Sequence, residues 1–128
     1  MYKGELMAAK ATVLIIDDDR ELRDLLYLTL SKKYAVATIG DAGEAISYLA
    51  DYPVNVILLD YNMPNIEGIS ALTEIKKNHP DTEIIMMTDN APSDIRDKAL
   101  NLGAFAFLMK PLHIGELIKT IDAAHRGK

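Results

Sequence analysis

Three consecutive aspartates, Asp17, Asp18 and Asp19, follow directly on the aliphatic run VLII, and Asp60 closes a second run, VILLD. Thr88 ends a third run and Lys110 a fourth, with Pro111 directly after it. Taken singly, each has an ordinary explanation. An Asp after a strand caps the next helix, a hydroxyl or an ammonium at a strand end is solvated, and Pro opens a helix. Together they bring acids from two run ends, a hydroxyl from a third and an ammonium from a fourth toward one crevice, which capping does not require. Two carboxylates ~4 Å apart repel by about 4 kcal/mol at an effective dielectric near 20, a large part of a small domain's stability. Lys110 offsets some of this, and a divalent cation would offset more; an all-oxygen set of carboxylates and waters suits Mg2+. A carboxylate beside Mg2+ and a lysine can attack phosphorus to give an aspartyl phosphate, while the cations and a hydroxyl stabilise charge on the transferring oxygens.

The elements that must hold these groups are visible as alternation. Five short apolar runs, at 11–17, 34–39, 54–60, 83–88 and 104–110, are separated by stretches with helical spacing, the pattern of βα units around a mainly parallel sheet. The first, third and fourth are apolar almost without alternation and read as strands buried on both faces. Leu22, Leu25, Leu26, Thr29 and Leu30 predict one core-facing helix stripe, and Ala42, Ala45, Ile46 and Leu49 a second. Gly68, Ala71, Leu72 and Ile75 continue the scheme, as do Ile95, Ala99 and Leu102, then Ile114, Leu117, Ile118 and Ile121. Asp41 with Glu44 resembles a capping box; Gly103 stops the fourth helix and Pro80 follows the third. In open parallel sheets ligands bind beyond the carboxyl ends of the strands, which is where the candidate residues fall.

Composition sets the outer bounds. A chain of 128 residues, 49% hydrophobic and 26% charged, fits one domain with a single core. Residues 1–10 carry no clear pattern and read as an N-terminal extension to a domain at 11–125. No apolar run approaches the ~20 residues of a membrane span and no signal-peptide pattern opens the chain, so a soluble, cytoplasmic protein is expected. The absence of cysteine excludes thiol redox chemistry and a thiolate metal site. A net charge of −5 disfavours direct nucleic-acid binding. His79, His113 and His125 lack metal-ligand spacing, and Met86 and Met87 read as core strand residues.

With these residues in place, the chain resembles the receiver domain of two-component response regulators over nearly its whole length, about 11–125. VLIIDDD looks like the family's first strand and acidic pair, LLDYNMPNIEG like its phosphoacceptor loop, MMT like its fourth strand with the switch hydroxyl, and FLMKP like its lysine and proline. The resemblance implies a flavodoxin-like (βα)5 three-layer sandwich whose five-stranded parallel sheet has the order 2-1-3-4-5. It implies Asp60 as phosphoacceptor, Mg2+ held by Asp17, Asp18, Asp60 and the main-chain carbonyl of Asn62, and Asp19 as a helix cap. Thr88 would bond to a phosphoryl oxygen, and Lys110 would pair with Asp60 and then with the phosphoryl group. A cis Lys110–Pro111 bond is implied as well. The donor would be a sensor histidine kinase or phosphotransfer protein. The output would be a downstream effector protein or domain, or a homodimer, through the face of the fourth and fifth strands and helices; no turnover of an external substrate is expected.

Two departures from the family's pattern, and a pair of tuning positions, shape further expectations. Phe107 stands where the family often has Tyr, and lacking a hydroxyl it should lie inward more readily as the partner of the Thr88 switch. Asp89 stands where Ala or Gly is usual, so it should slow small-molecule phosphodonors by size and repulsion. Asn62 and Asn90 occupy positions that tune the lifetime of the acyl phosphate in the family. The rivals are weaker. A flavin phosphate would be repelled by three aspartates, and a dehalogenase-like phosphatase would need a cap for which there is no length. A pseudo-receiver serving only as a docking module has Asp89 as its support.

Overall fold

The computed structural model describes residues 10–64 and 66–127; the expected extension falls almost wholly outside them. Five strands alternate with five helices: β1 (Thr12–Ile16), α1 (Arg20–Leu30), β2 (Ala35–Ile39), α2 (Ala42–Asp51), β3 (Val56–Asp60), α3 (Gly68–Asn78), β4 (Glu83–Thr88), α4 (Ile95–Asn101), β5 (Ala106–Met109) and α5 (Ile114–Arg126). All strand pairs are parallel and the sheet order is β2-β1-β3-β4-β5. This is the flavodoxin-like order expected.

Alternation along the central strands explains the three layers. Leu14, Ile16, Ile57, Leu59, Ile84 and Met86 face α2, α3 and α4, whereas Val13, Ile15, Val56, Leu58, Ile85 and Met87 face α1 and α5. With both faces covered, β1, β3 and β4 are buried nearly throughout, so their continuous apolar runs are a requirement of position. Two of the helices, α1 and α2, start where carboxylates cap them. Asp19 accepts from the Leu22 N–H at 3.2 Å and Asp41 from the Glu44 N–H at 2.9 Å, each satisfying one orphan donor of a first turn. Gly103, at φ 111°, closes α4 in the left-handed region that favours glycine.

Two expected core residues point elsewhere. Leu25 is 57% exposed and Leu102 38% exposed. On α1 only Leu26 and Leu30 are buried, because the helix meets the sheet along a narrower stripe than five positions allow; Leu102 is the C-cap of α4, beyond its last packed turn. A polar tie fixes α5 to the turn before β2: Asp122 accepts from Lys33 Nζ and from the Tyr34 hydroxyl, each at 2.6 Å. Burial first, then the neighbouring Asp122, hold the Tyr34 hydroxyl protonated well above its ordinary range. Among the described residues no helix is long and apolar enough to cross a membrane.

Candidate functional site

At the carboxyl edge of the sheet, the chain goes from β1 to one neighbour, β2, and later returns to the other, β3, leaving a crevice between the ends of β1 and β3. Asp17 follows β1, Asp60 is the last residue of β3, Thr88 the last of β4, and Lys110 follows β5. Parallel registry therefore brings to one edge residues as far apart as 17 and 110. Carboxylate oxygens of Asp17, Asp18 and Asp60 all lie within 4.8 Å of one another. Asp17 and Asp60 are buried and Asp18 is exposed, so the cluster opens to solvent on one side. This donor set, hard anionic oxygens with room for water, fits Mg2+. It is the one cluster of this kind among the described residues, and no histidine belongs to it.

Lys110 reaches in from β5. Its Nζ lies 2.7 Å from Asp17 Oδ2 and 3.6 Å from Asp60 Oδ1, so the ammonium joins the two acids and sits closer to Asp17 than to the expected partner, Asp60. Burial works against its charge, yet the Asp17 hydrogen bond and the charges of Asp17, Asp60 and Asp89 together raise its pKa. The Lys110–Pro111 peptide is cis, as the resemblance implied.

Asp60 carries the main electrostatic strain. Burial, then the charge of Asp17 and to a smaller degree that of Asp18, push its carboxyl up to about 6 from 3.8, against the Asn62 N–H bond and Lys110, which favour the anion. Tyr61 beside it is pinned to the next strand by its N–H, which donates to the Met87 carbonyl at 2.8 Å.

Of the remaining expected residues, Thr88, Asn62, Asp89 and Asn90 gather at the mouth. Thr88 is fully buried, and its Oγ1 accepts from the Asn90 N–H and donates to the Asn90 carbonyl, both at 3.0 Å. Asn62 donates from Nδ2 to Thr88 Oγ1 at 2.9 Å and to the Asn90 carbonyl at 2.8 Å. Asp89 is exposed, with Oδ1 3.4 Å from Asn62 Nδ2. Phe107 is partly buried against the α2–α4 side of the core and lines a recess with Ala91, Pro92, Arg96 and Met109.

Sequence reasoning missed Arg23 and Gly40. Arg23 Nη1 donates to the Asp17 carbonyl at 2.8 Å, holding the backbone that presents the acidic pair. Its guanidinium occupies the space above Gly40, where a Cβ would come within 2.7 Å of Nη1. The signal was available: Arg23 stands three and seven residues before Leu26 and Leu30, a cation on the buried stripe of α1.

A family model described as response regulator receiver domain matches residues 13–122. The chain belongs to this family. It is 33% identical over 119 residues to the response regulator protein PilR of Pseudomonas aeruginosa, covering 92% of this chain but 27% of PilR; the receiver thus spans about a quarter of that relative's length. Among solved structures, a CheY-like response regulator receiver domain protein of Methanospirillum hungatei superposes with a TM-score of 0.85 at 27% identity, covering 94% of this chain and all of that one. The beryllofluoride-activated NtrC4 receiver domain dimer gives 0.86 at 31% identity, covering 91% of this chain and 97% of the other.

Proposed function

We propose that this receiver domain is a phosphoacceptor switch that takes a phosphoryl group onto Asp60 from the phosphohistidine of a sensor kinase or phosphotransfer protein. The observation that supports this best is the setting of Asp60: its carboxylate shares a candidate cation site with Asp17 and Asp18 and lies 3.6 Å from Lys110 Nζ. A carboxylate oxygen of Asp60 attacks phosphorus; the new O–P bond forms as the donor's P–N bond breaks, and the electron pair leaves with the imidazole nitrogen. Lys110 donates to the oxygens that gain charge, and the Thr88 hydroxyl donates to another. Asp17, Asp18, Asp60 and the main-chain carbonyl of Asn62 would hold Mg2+, which supplies charge neutralisation on the transferring oxygens.

Water later attacks the same phosphorus and returns Asp60 to its carboxylate, with Asn62, Asp89 and Asn90 at the mouth setting its access. Engagement of Thr88 by the phosphoryl group draws it from its turn with Asn90 and lets Phe107 pack further inward. That remodels the face of β4, α4, β5 and α5, on which Phe105 and Met109 are exposed. This face then meets a downstream effector or a second copy of the chain; the NtrC4 receiver neighbour is a dimer. The exposed Leu25 has a place in this reading. With Leu22, Leu112 and Ile114 it lines an apolar recess of about 280 Å3 beside Lys110 and Pro111, a surface on which a cytoplasmic donor protein could set its phosphohistidine against Asp60.

The test is intact mass after incubation with acetyl phosphate and Mg2+. A phosphoryl adduct that needs the metal and is lost in Asp60→Asn is the expected result. Asp89→Ala should form the adduct severalfold faster, since Asp89 places a carboxylate on the Asn62 side of the mouth. A wild-type protein and an Asp89→Ala variant that both remain unmodified would favour the pseudo-receiver reading. Beryllium fluoride with Mg2+ gives a second readout of the same site.

A further inference from the structure

The hydrogen-bonding capacity of Thr88 is already spent. A hydroxyl has one proton and two lone pairs; here the proton goes to the Asn90 carbonyl, one lone pair accepts from the Asn90 N–H, and the other accepts from Asn62 Nδ2. The Asn62 amide is equally committed. Its two N–H bonds reach Thr88 Oγ1 and the Asn90 carbonyl, at 2.9 and 2.8 Å. The carbonyl of Asn90 can only accept, so the nitrogen of the Asn62 amide must be the atom facing it. A side chain from the loop after β3 thus closes over a turn that Thr88 already makes with Asn90, joining positions 26 and 28 residues apart.

We propose that Asn62 is a positioning residue whose side-chain amide clamps the Thr88 hydroxyl to the Asn90 turn and so opposes its engagement with the phosphoryl group. The inference rests on the phosphoacceptor reading and deepens it. To donate to a phosphoryl oxygen, Thr88 must redirect its only proton away from the Asn90 carbonyl, and the swing of Oγ1 toward the phosphoryl group draws it out of reach of the Asn62 amide. The clamp thus stabilises the resting state alone, and a contact present in one state only is what shifts an equilibrium between two. Asp89, 3.4 Å from Asn62 Nδ2, offers the amide a third acceptor on the same side and keeps it turned toward β4.

The experiment is titration of the full chain with beryllium fluoride and Mg2+, followed by backbone amide resonances. Asn62→Ala and Asn62→Leu, the second of similar volume with no donor, should each bind the analogue about threefold to tenfold more tightly than wild type, the range expected for one net hydrogen bond. Before any analogue is added, the Thr88 and Asn90 amides of both variants should already move toward their analogue-bound positions. On a Thr88→Val background, with no hydroxyl to clamp, Asn62→Ala should leave the affinity unaltered. A purely structural Asn62 would lower thermal stability without tightening binding, and that result, or an equal gain on both backgrounds, overturns the clamp. Wild-type protein that binds no beryllium fluoride overturns the phosphoacceptor reading together with the clamp built on it.

Discussion

At the edge where the strands begin, Thr12 and Asn55 are stitched reciprocally: Asn55 Oδ1 accepts from the Thr12 N–H at 2.9 Å and its hydroxyl at 3.1 Å, while the Asn55 N–H donates to Thr12 Oγ1 at 2.9 Å. Nearby, Thr82 Oγ1 donates to the Val54 carbonyl at 2.9 Å, and Lys76 Nζ donates to the Pro80 and Thr82 carbonyls at 3.0 Å. At the opposite edge, 5 residues away along β1, the oxygens of three acids lie within 4.8 Å and one lysine ammonium stands between two of them. One end pairs its polar groups to hold the sheet in register. The other keeps like charges together, which lowers stability and leaves a set of hard oxygens that fits a cation. A marginally stable domain can carry such a site because the rest of its sheet is bonded and packed on both faces.

The largest effect expected from this contrast is a gain of stability on disabling the site. Asp60 holds its proton to about pH 6 in the fold, against 3.8 in the unfolded chain. Between those values the folded state binds more protons, so stability falls as pH rises through the window. A difference of about 2 pKa units corresponds to no more than about 3 kcal/mol at neutral pH. Asp60→Asn keeps the shape, removes the charge and leaves Lys110 its closer partner, Asp17. Denaturant unfolding in chelator should show the variant about 2 kcal/mol more stable than wild type at pH 7.5, and equal to it near pH 3. A variant less stable than wild type at pH 7.5 would mean that Lys110 outweighs the crowding of the acids.

The stitched edge should answer in the opposite sense. Asn55→Ala removes the acceptor of two Thr12 bonds and leaves a part-buried N–H without it. A loss of about 2 kcal/mol in unfolding free energy is expected, with the rate of adduct formation from acetyl phosphate unchanged. A slowed adduct would show that the two edges are coupled through β1 and β3, which both cross the full sheet.

Much of this was legible because the signals are local. Burial on both faces makes β1, β3 and β4 continuous apolar runs, and capping places Asp19 and Asp41 at helix starts, so the elements announce themselves within a few residues. Asp17, Asp60, Thr88 and Lys110 were legible for the same reason: each stands at the end of a run, and parallel strands carry their ends to one edge. Strand order was not contained in periodicity and came from the family resemblance. What stayed hidden was tertiary. The outward turn of Leu25 depends on how wide a stripe α1 presents to the sheet. The Asn62 amide finds its acceptors 26 and 28 residues away, and the preference of Lys110 for Asp17 depends on which acid lies nearer once β5 has docked.

Arg23 and Gly40 give the smallest and sharpest test of how the strained edge is held. Arg23 is the tie from α1 to the backbone of Asp17, and Gly40, just after β2, leaves the space in which its guanidinium lies. A methyl group at residue 40 would come within 2.7 Å of Nη1 and 3.1 Å of Cζ. The cheapest response is for this long side chain to swing away, since its far end is flexible. Gly40→Ala should therefore reproduce the functional effect of Arg23→Ala without touching an acid or the arginine itself. Both variants should raise the Mg2+ concentration that half-saturates adduct formation by about threefold to tenfold, the range for one hydrogen bond to a charged donor at a partly exposed site, while the rate at saturating Mg2+ stays near wild type. The double variant should be no worse than Arg23→Ala alone, because the second change acts only through a side chain already gone. Additive losses would place Gly40 in a separate role and leave Asp17 held by β1 and its own N–H bond to the Ile39 carbonyl at 3.2 Å.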